Sequence, residues 1–199
     1  MIPDDALFAL GNLKNLRSVT LTETAAGNRA VSGLATLNDL RDLRFGSDQL
    51  SDAGVQQLCS LVSLEALAID ERATGLSDSA MSDLWRLVNL RTLELSTAGI
   101  TGSGFASIHE LPRLESLNLL GPDTTDVALQ QAARSTSLKR LVVGGRSGGP
   151  SGVTDAGLLT LSTARNLQQF DLVRRTTQIS DTAMEKLRAQ RPDLKINVR

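Results

Sequence analysis

His109 and Cys59 are the entire supply of imidazole and thiol in this 199-residue chain. A Ser-His-Asp or Cys-His pair would rest on His109 alone, and a zinc site needs several such ligands close together. The glycine run at 144–152, GGRSGGPSG, lacks the Lys-Ser/Thr of a phosphate cradle and any G-x-G-x-x-G register, and reads as a flexible insertion. Aspartates recur at Asp4, Asp52, Asp78, Asp126, Asp155 and Asp181, too far apart for one calcium ion and well placed to cap helices. No catalytic constellation emerges, so neither an enzyme nor a cofactor or metal is expected.

The elements that carry these residues come from one stretch, Leu50 to Ile69, which recurs with drift about eight times. Ser51 and Asp52 open a helix whose apolar face is Val55, Leu58 and Leu61; Leu64, Leu67 and Ile69 then change the period to that of a strand. Copies start at Ile2, Ala26, Leu50, Leu76, Ile100, Thr124, Val153 and Ile179, and the strand-opening leucines, Leu16, Leu40, Leu64, Leu90, Leu114, Leu138, Leu167 and Leu194, fall at periods of 24, 24, 26, 24, 24, 29 and 27 residues. A unit this short cannot bury its own apolar face and must stack on its neighbour.

Columns of the repeat have physical meanings. The fifth position is small throughout, from Ala6 and Ala30 to Gly157 and Ala183, which predicts backbone of the preceding turn close by. The sixth is always apolar, as core. The tenth, with Cys59, Trp85 and His109 in successive units, varies enough to predict a partly exposed helix flank. Ala132 and Ser135 replace core leucines and predict looser packing in their unit. Strands joined through helices pair in parallel, so the expected fold is α/β: a sheet on one side of a solenoid and helices on the other.

Charge is unevenly placed. Residues 1–138 carry 17 acidic and 10 basic side chains, and residues 139–199 carry 5 and 11. With one Trp, four Phe and no Tyr, base stacking has little support, and nucleic acid is a distant third choice of partner. No signal peptide or membrane-length apolar run is evident, which with the lone cysteine predicts a cytoplasmic protein that does not engage a membrane. Residues 1–199 read as a single solenoid. Because Ile2 already occupies the first position of a repeat, the solenoid is expected to be the C-terminal part of a longer array or protein.

The phrases LSDAGV, LSDSAM, VTDAGL and ISDTAM resemble the helix openings of leucine-rich repeat domains, as found in bacterial leucine-rich repeat proteins and in the repeat portions of F-box substrate receptors. The resemblance covers residues 2–199 and implies a leucine-rich repeat solenoid with a concave parallel sheet and convex helices. It further implies a recognition module within a larger protein. The post-strand column, Thr24, Asp48, Arg72, Ala98, Pro122, Arg146 and Arg175, lacks the Asn or Cys that ties neighbouring backbones in many relatives.

Strand alternation turns the remaining residues toward the open face. Thr20, Asp42, Arg44, Thr92, Glu94 and Asn118 populate it, with Arg140 and Asp171 farther along. Just past the strands, Asp70 and Glu71 make an acidic spot and Arg174 and Arg175, with Arg140, a basic one. This irregular surface predicts another, unidentified protein as the partner. The alternatives are the substrate-recognition part of a ubiquitin-ligase receptor or bacterial effector, and a spacer that self-associates end to end through an uncapped first repeat.

Overall fold

The computed structural model describes residues 2–144, 152–173 and 178–198. Eight strands form one parallel sheet in chain order: β1 (Ser18–Thr22), β2 (Asp42–Gly46), β3 (Ala66–Ile69), β4 (Thr92–Leu95), β5 (Ser116–Leu119), β6 (Arg140–Gly144), β7 (Gln169–Val173) and β8 (Lys195–Val198). The register places Val19, Leu43, Leu67, Leu93, Leu117, Leu141, Phe170 and Ile196 side by side, so each repeat adds one rung. The leucine that opens each strand is fully buried at Leu40, Leu64, Leu90 and Leu114. Each such side chain contributes roughly 1.5–3 kcal/mol before conformational entropy is subtracted. This is the solenoid that the repeated columns predict, with the parallel sheet that the leucine-rich repeat resemblance implies.

The return segments are α1 (Asp4–Phe8), α2 (Asn28–Leu34), α3 (Asp52–Leu58), α4 (Asp126–Ala133), α5 (Asp155–Thr160) and α6 (Asp181–Gln190). In the units starting at Leu76 and Ile100 the expected α-helix is replaced by pairs of 3₁₀ turns, Asp78–Met81 with Leu84–Arg86 and Ser103–Phe105 with Ile108–Glu110. Ser79, Ser82, Ser103 and Ser107 lie in these segments, where short hydroxyl side chains compete for the backbone, and Gly102 opens the second with a φ of 112°.

The hydroxyl and the aspartate at each helix start divide the work differently from the sequence expectation. Ser51, Ser77, Thr125, Thr154 and Ser180 each accept an N–H of their own helix or turn. The acidic residue reaches forward into the next repeat. Asp4 accepts the amides of Gly27 and Ala30, both at 2.7 Å, and Asp52 those of Ser77 and the hydroxyls of Ser77 and Ser79. Asp78 holds the Thr101 amide and hydroxyl and the amides of Gly102 and Gly104; Asp126 and Asp155 likewise hold Thr154 and Ser180. Gly102 breaks the series, and there the Thr125 hydroxyl donates directly to the Thr101 carbonyl at 2.9 Å.

At the glycines of the small fifth column the obstacle differs from unit to unit. A β-carbon at Gly54 would meet the Asn28 side-chain oxygen, and one at Gly157 the Asp126 carboxylate; only at Gly104 is preceding backbone, the Asp78 carbonyl, the obstacle. Cys59 is another correction: it is fully buried, while Trp85 and His109 in the same column are exposed, so no continuous flank row exists. Ala132 and Ser135 stay buried, and the Ser135 hydroxyl pairs with that of Ser137 at 3.2 Å.

Arg191, which stands where earlier repeats bury Leu37 or Leu61, is 7% exposed. Its guanidinium donates to the carbonyls of Ala164 (2.7 Å), Leu167 (2.8 Å) and Leu161 (3.3 Å) and pairs with Asp193. The glycine-run residues 145–151 lie outside the described residues.

Candidate functional site

The outward positions of β1 to β4 enclose a hollow of about 230 Å³. Its floor is Ala66 and Ala68 of β3, and its walls are Thr20, Asp42 and Arg44 on one side and Thr92 and Glu94 on the other. The parallel register sets Arg44, Ala68 and Glu94 on one line, so a methyl group lies between a cation and an anion. Adjacent strands are ~4.8 Å apart, which spaces the two charged positions about 10 Å from each other.

Arg44 also borders a second hollow of about 310 Å³ at the ends of the strands, lined by Thr22, Glu23, Asp70, Glu71, Arg72 and Ser96. Gly46 makes room for it: a β-carbon there would collide with the Asp70 carboxylate, which lies across the end of β2. Asp70 accepts the Arg72 amide at 3.0 Å, and the Arg72 guanidinium reaches Glu23 at 3.2 Å. The Ser96 hydroxyl is buried without a hydrogen-bond partner among the described residues.

Farther along, the open face is knitted together. Asp171 is 1% exposed and accepts from Arg140 (2.5 Å), Gln169 (2.9 Å) and Asn197 (2.6 Å), so three strands meet on one carboxylate. Burial would raise its pKa, but the hydrogen bonds from Asn197 and Gln169 and the Arg140 guanidinium outweigh it and hold the group below the usual carboxylate range. Asp171 and Arg140, expected as partner-binding residues, are thereby tied to each other. Asn118 lies between the two regions with a buried side-chain oxygen that has no partner among the described residues.

The predicted residues therefore separate by place. Thr20, Asp42, Arg44, Thr92 and Glu94 share one hollow, and Asp70 and Glu71 belong to the next. Arg174 and Arg175 lie outside the described residues. Ala66, Ala68, Glu23 and Arg72, which were not among the predicted residues, line these hollows as well. The signal for the floor was present, since β3 alone carries alanine at both outward positions.

Elsewhere the chemistry is quiet. Burial, with a smaller contribution from Asp83, pushes the Cys59 thiol up to about 12, far from a working thiolate. His109 Nδ1 sits 3.0 Å from the Ala106 carbonyl at the surface. Among the described residues no group of three or more His, Cys, Asp or Glu could hold a metal ion, and no helix is long and apolar enough to cross a membrane.

No family model and no curated protein matches this sequence. Solved structures do resemble the fold. An internalin (inlF) from Listeria monocytogenes superposes with a TM-score of 0.60 at 16% identity, covering 94% of this chain and 55% of that one. Internalin C2 (inlC2) from the same species gives 0.64 at 21% identity, covering 94% and 75%. The chain thus spans about half the length of the first and three quarters of the second.

Proposed function

We propose that this solenoid is a non-enzymatic recognition module that holds another protein against the open sheet face at β1 to β4. The observation that carries the reading is the alanine-floored hollow between Arg44 and Glu94. A hollow of that size admits one protruding side chain, and the flanking charges orient whatever carries it. The far half of the face spends its polar groups on itself through Asp171, which leaves the near half as the adaptable part.

The test fills the hollow. Ala68→Arg and the parent chain, matched for folding by circular dichroism, are each used to capture proteins from a lysate of the source organism. A protein retained by the parent and lost from Ala68→Arg supports the reading; identical retention by both counts against it. A second reading, end-to-end association through the first repeat, draws on the exposed side chains of Ile2, Phe8 and Leu13. Sedimentation velocity of the parent chain over a concentration series separates the two, since only self-association raises the sedimenting mass.

A further inference from the structure

We propose a second docking surface, separate from the sheet face: a groove along the edge where the helical segments turn into strands, which takes an extended acidic peptide led by apolar residues. A hollow of about 790 Å³ opens there among Arg91, Pro112, Arg113, Lys139, Arg165 and Asn166. It is larger than either hollow on the sheet face, at about 230 and 310 Å³.

Its cations are unequally committed. Glu115 takes both Arg91 (3.5 Å) and Lys139 (3.1 Å), and Asp193 is held by Arg191 at 2.7 Å. Arg113 has the neutral Asn89 amide at 3.0 Å, and the Arg165 guanidinium has no partner among the described residues. The two carboxylates of the groove are thus engaged, and among the described residues two guanidiniums remain without a counter-charge. That arrangement attracts carboxylates.

The neighbouring stretch of the same edge is apolar. Two residues before each strand-opening leucine, successive repeats present Val62, Val88, Pro112, Thr136 and Arg165. Val62 is 52% exposed and Val88 46%, and Trp85, in the turn before Val88, is also 46% exposed. Among the described residues these are the large exposed apolar side chains away from the first repeat and the last strand. Four steps of ~4.8 Å carry the row over about 19 Å, the reach of roughly six extended residues. The edge is also rigid, because side chains fasten its turns: Asn89 to the Val62 carbonyl at 2.9 Å, Ser137 to that of Leu111 at 2.9 Å and Asn166 to that of Thr136 at 2.6 Å. A pre-formed surface loses little freedom on binding. A peptide crossing it sets apolar side chains over Val62 to Pro112 and carboxylates over Arg113 and Arg165. A nucleic acid would answer the cations alone and leave the valines uncovered.

The probe is a fluorescein-labelled peptide of two leucines, a glycine and four glutamates, followed by fluorescence anisotropy on the full chain. Arg113→Glu with Arg165→Glu should weaken its binding by roughly tenfold or more, and the milder Arg113→Gln with Arg165→Gln by less, both with unchanged melting. Val62→Ser with Val88→Ser should weaken it by about threefold to tenfold, and Ala68→Arg on the sheet face should leave it unaltered. Failure of the parent chain to bind, or equal affinity for the charge-reversed variant, overturns the proposal. So does a thymidine oligonucleotide that binds as tightly and is indifferent to the valine changes. Loss of peptide binding in Ala68→Arg alone would assign the peptide to the sheet face, overturning this groove while leaving the first site standing.

Discussion

The first and last units of this chain treat one repeat position in opposite ways. In the first unit Leu13 is 53% exposed, beside Ile2 and Phe8, which are 56% and 42% exposed. In the last unit the same position is Arg191, 7% exposed, with its guanidinium bonded back to three carbonyls of the unit before it. Between them Leu37, Leu61, Leu87 and Leu111 are no more than 2% exposed, because each has a neighbour on both sides. A stacked unit is covered by its neighbours, and an apolar side chain without a stacked neighbour on one side keeps its contact with water. The charged one instead adds bonds to carbonyls of the unit before it, two of which, Leu161 and Ala164, also accept backbone amides.

That contrast can be broken most decisively by one truncation made twice. Leu61→Ala should cost about 3 kcal/mol, while Leu13→Ala should stay within about 0.5 kcal/mol, as read from urea midpoints. Equal losses would mean that the first repeat is covered in solution. Next in size, Arg191→Ala should cost about 2–3 kcal/mol by removing a charged donor's bonds to the carbonyls of Leu161, Ala164 and Leu167. Hydrogen exchange should then quicken chiefly in α6 and β8. Arg191→Lys should recover little, since an ammonium cannot fork across three carbonyls.

The Asp ladder connects the two ends and should respond more mildly. Asp78→Ala should cost about 1–2 kcal/mol, and Asp155→Ala less, since among the described residues Asp155 serves only Ser180. Burial alone would raise the Asp78 carboxyl, but bonds from the Thr101 hydroxyl, the Gly102 and Gly104 amides and the Ser103 hydroxyl hold it below the ordinary 3.8. Asp52, opposed by burial but held by Ser77 and Ser79, is lowered too. Stabilisation from a depressed carboxylate is fully present above 3.8 and is lost as pH falls through the lowered folded value. Acid unfolding should therefore set in below about pH 4, and Asp78→Asn should flatten that part of the stability curve.

The smallest effect belongs to the ion ladder along the strand-opening edge, Arg41–Glu65–Arg91–Glu115–Lys139. All five side chains are substantially exposed, so Glu115→Gln should cost no more than about 0.5 kcal/mol, and the difference should vanish at high salt.

Much of this organisation was legible. Strand and core columns repeat in every unit, so one unit's ambiguity is resolved by the others. The Asp column announced helix starts, but its partners lie 23 to 28 residues onward and depend on how the units stack. Cys59 was misplaced because its column mixes residue types, and burial of one member cannot be read from the rest. Arg191 left a faint sign, a charge in an apolar column with Asp193 two residues on. On the sheet face, alternation correctly turned Asp171 outward, yet Arg140, Gln169 and Asn197 from three strands cover it.

By itself the sequence determined the repeat, its period, its core columns and the alternation that divides core from open face. These are local properties, set by helix and strand periodicities within one unit. Tertiary structure alone decided which side chains meet: Arg44, Ala68 and Glu94 around one hollow, Asp78 with the next repeat's amides, and Arg191 with its three carbonyls. The reason is geometric. Residues 24 to 31 positions apart in the chain lie a single strand spacing apart in the stack, and their complementarity exists only once the stack has formed.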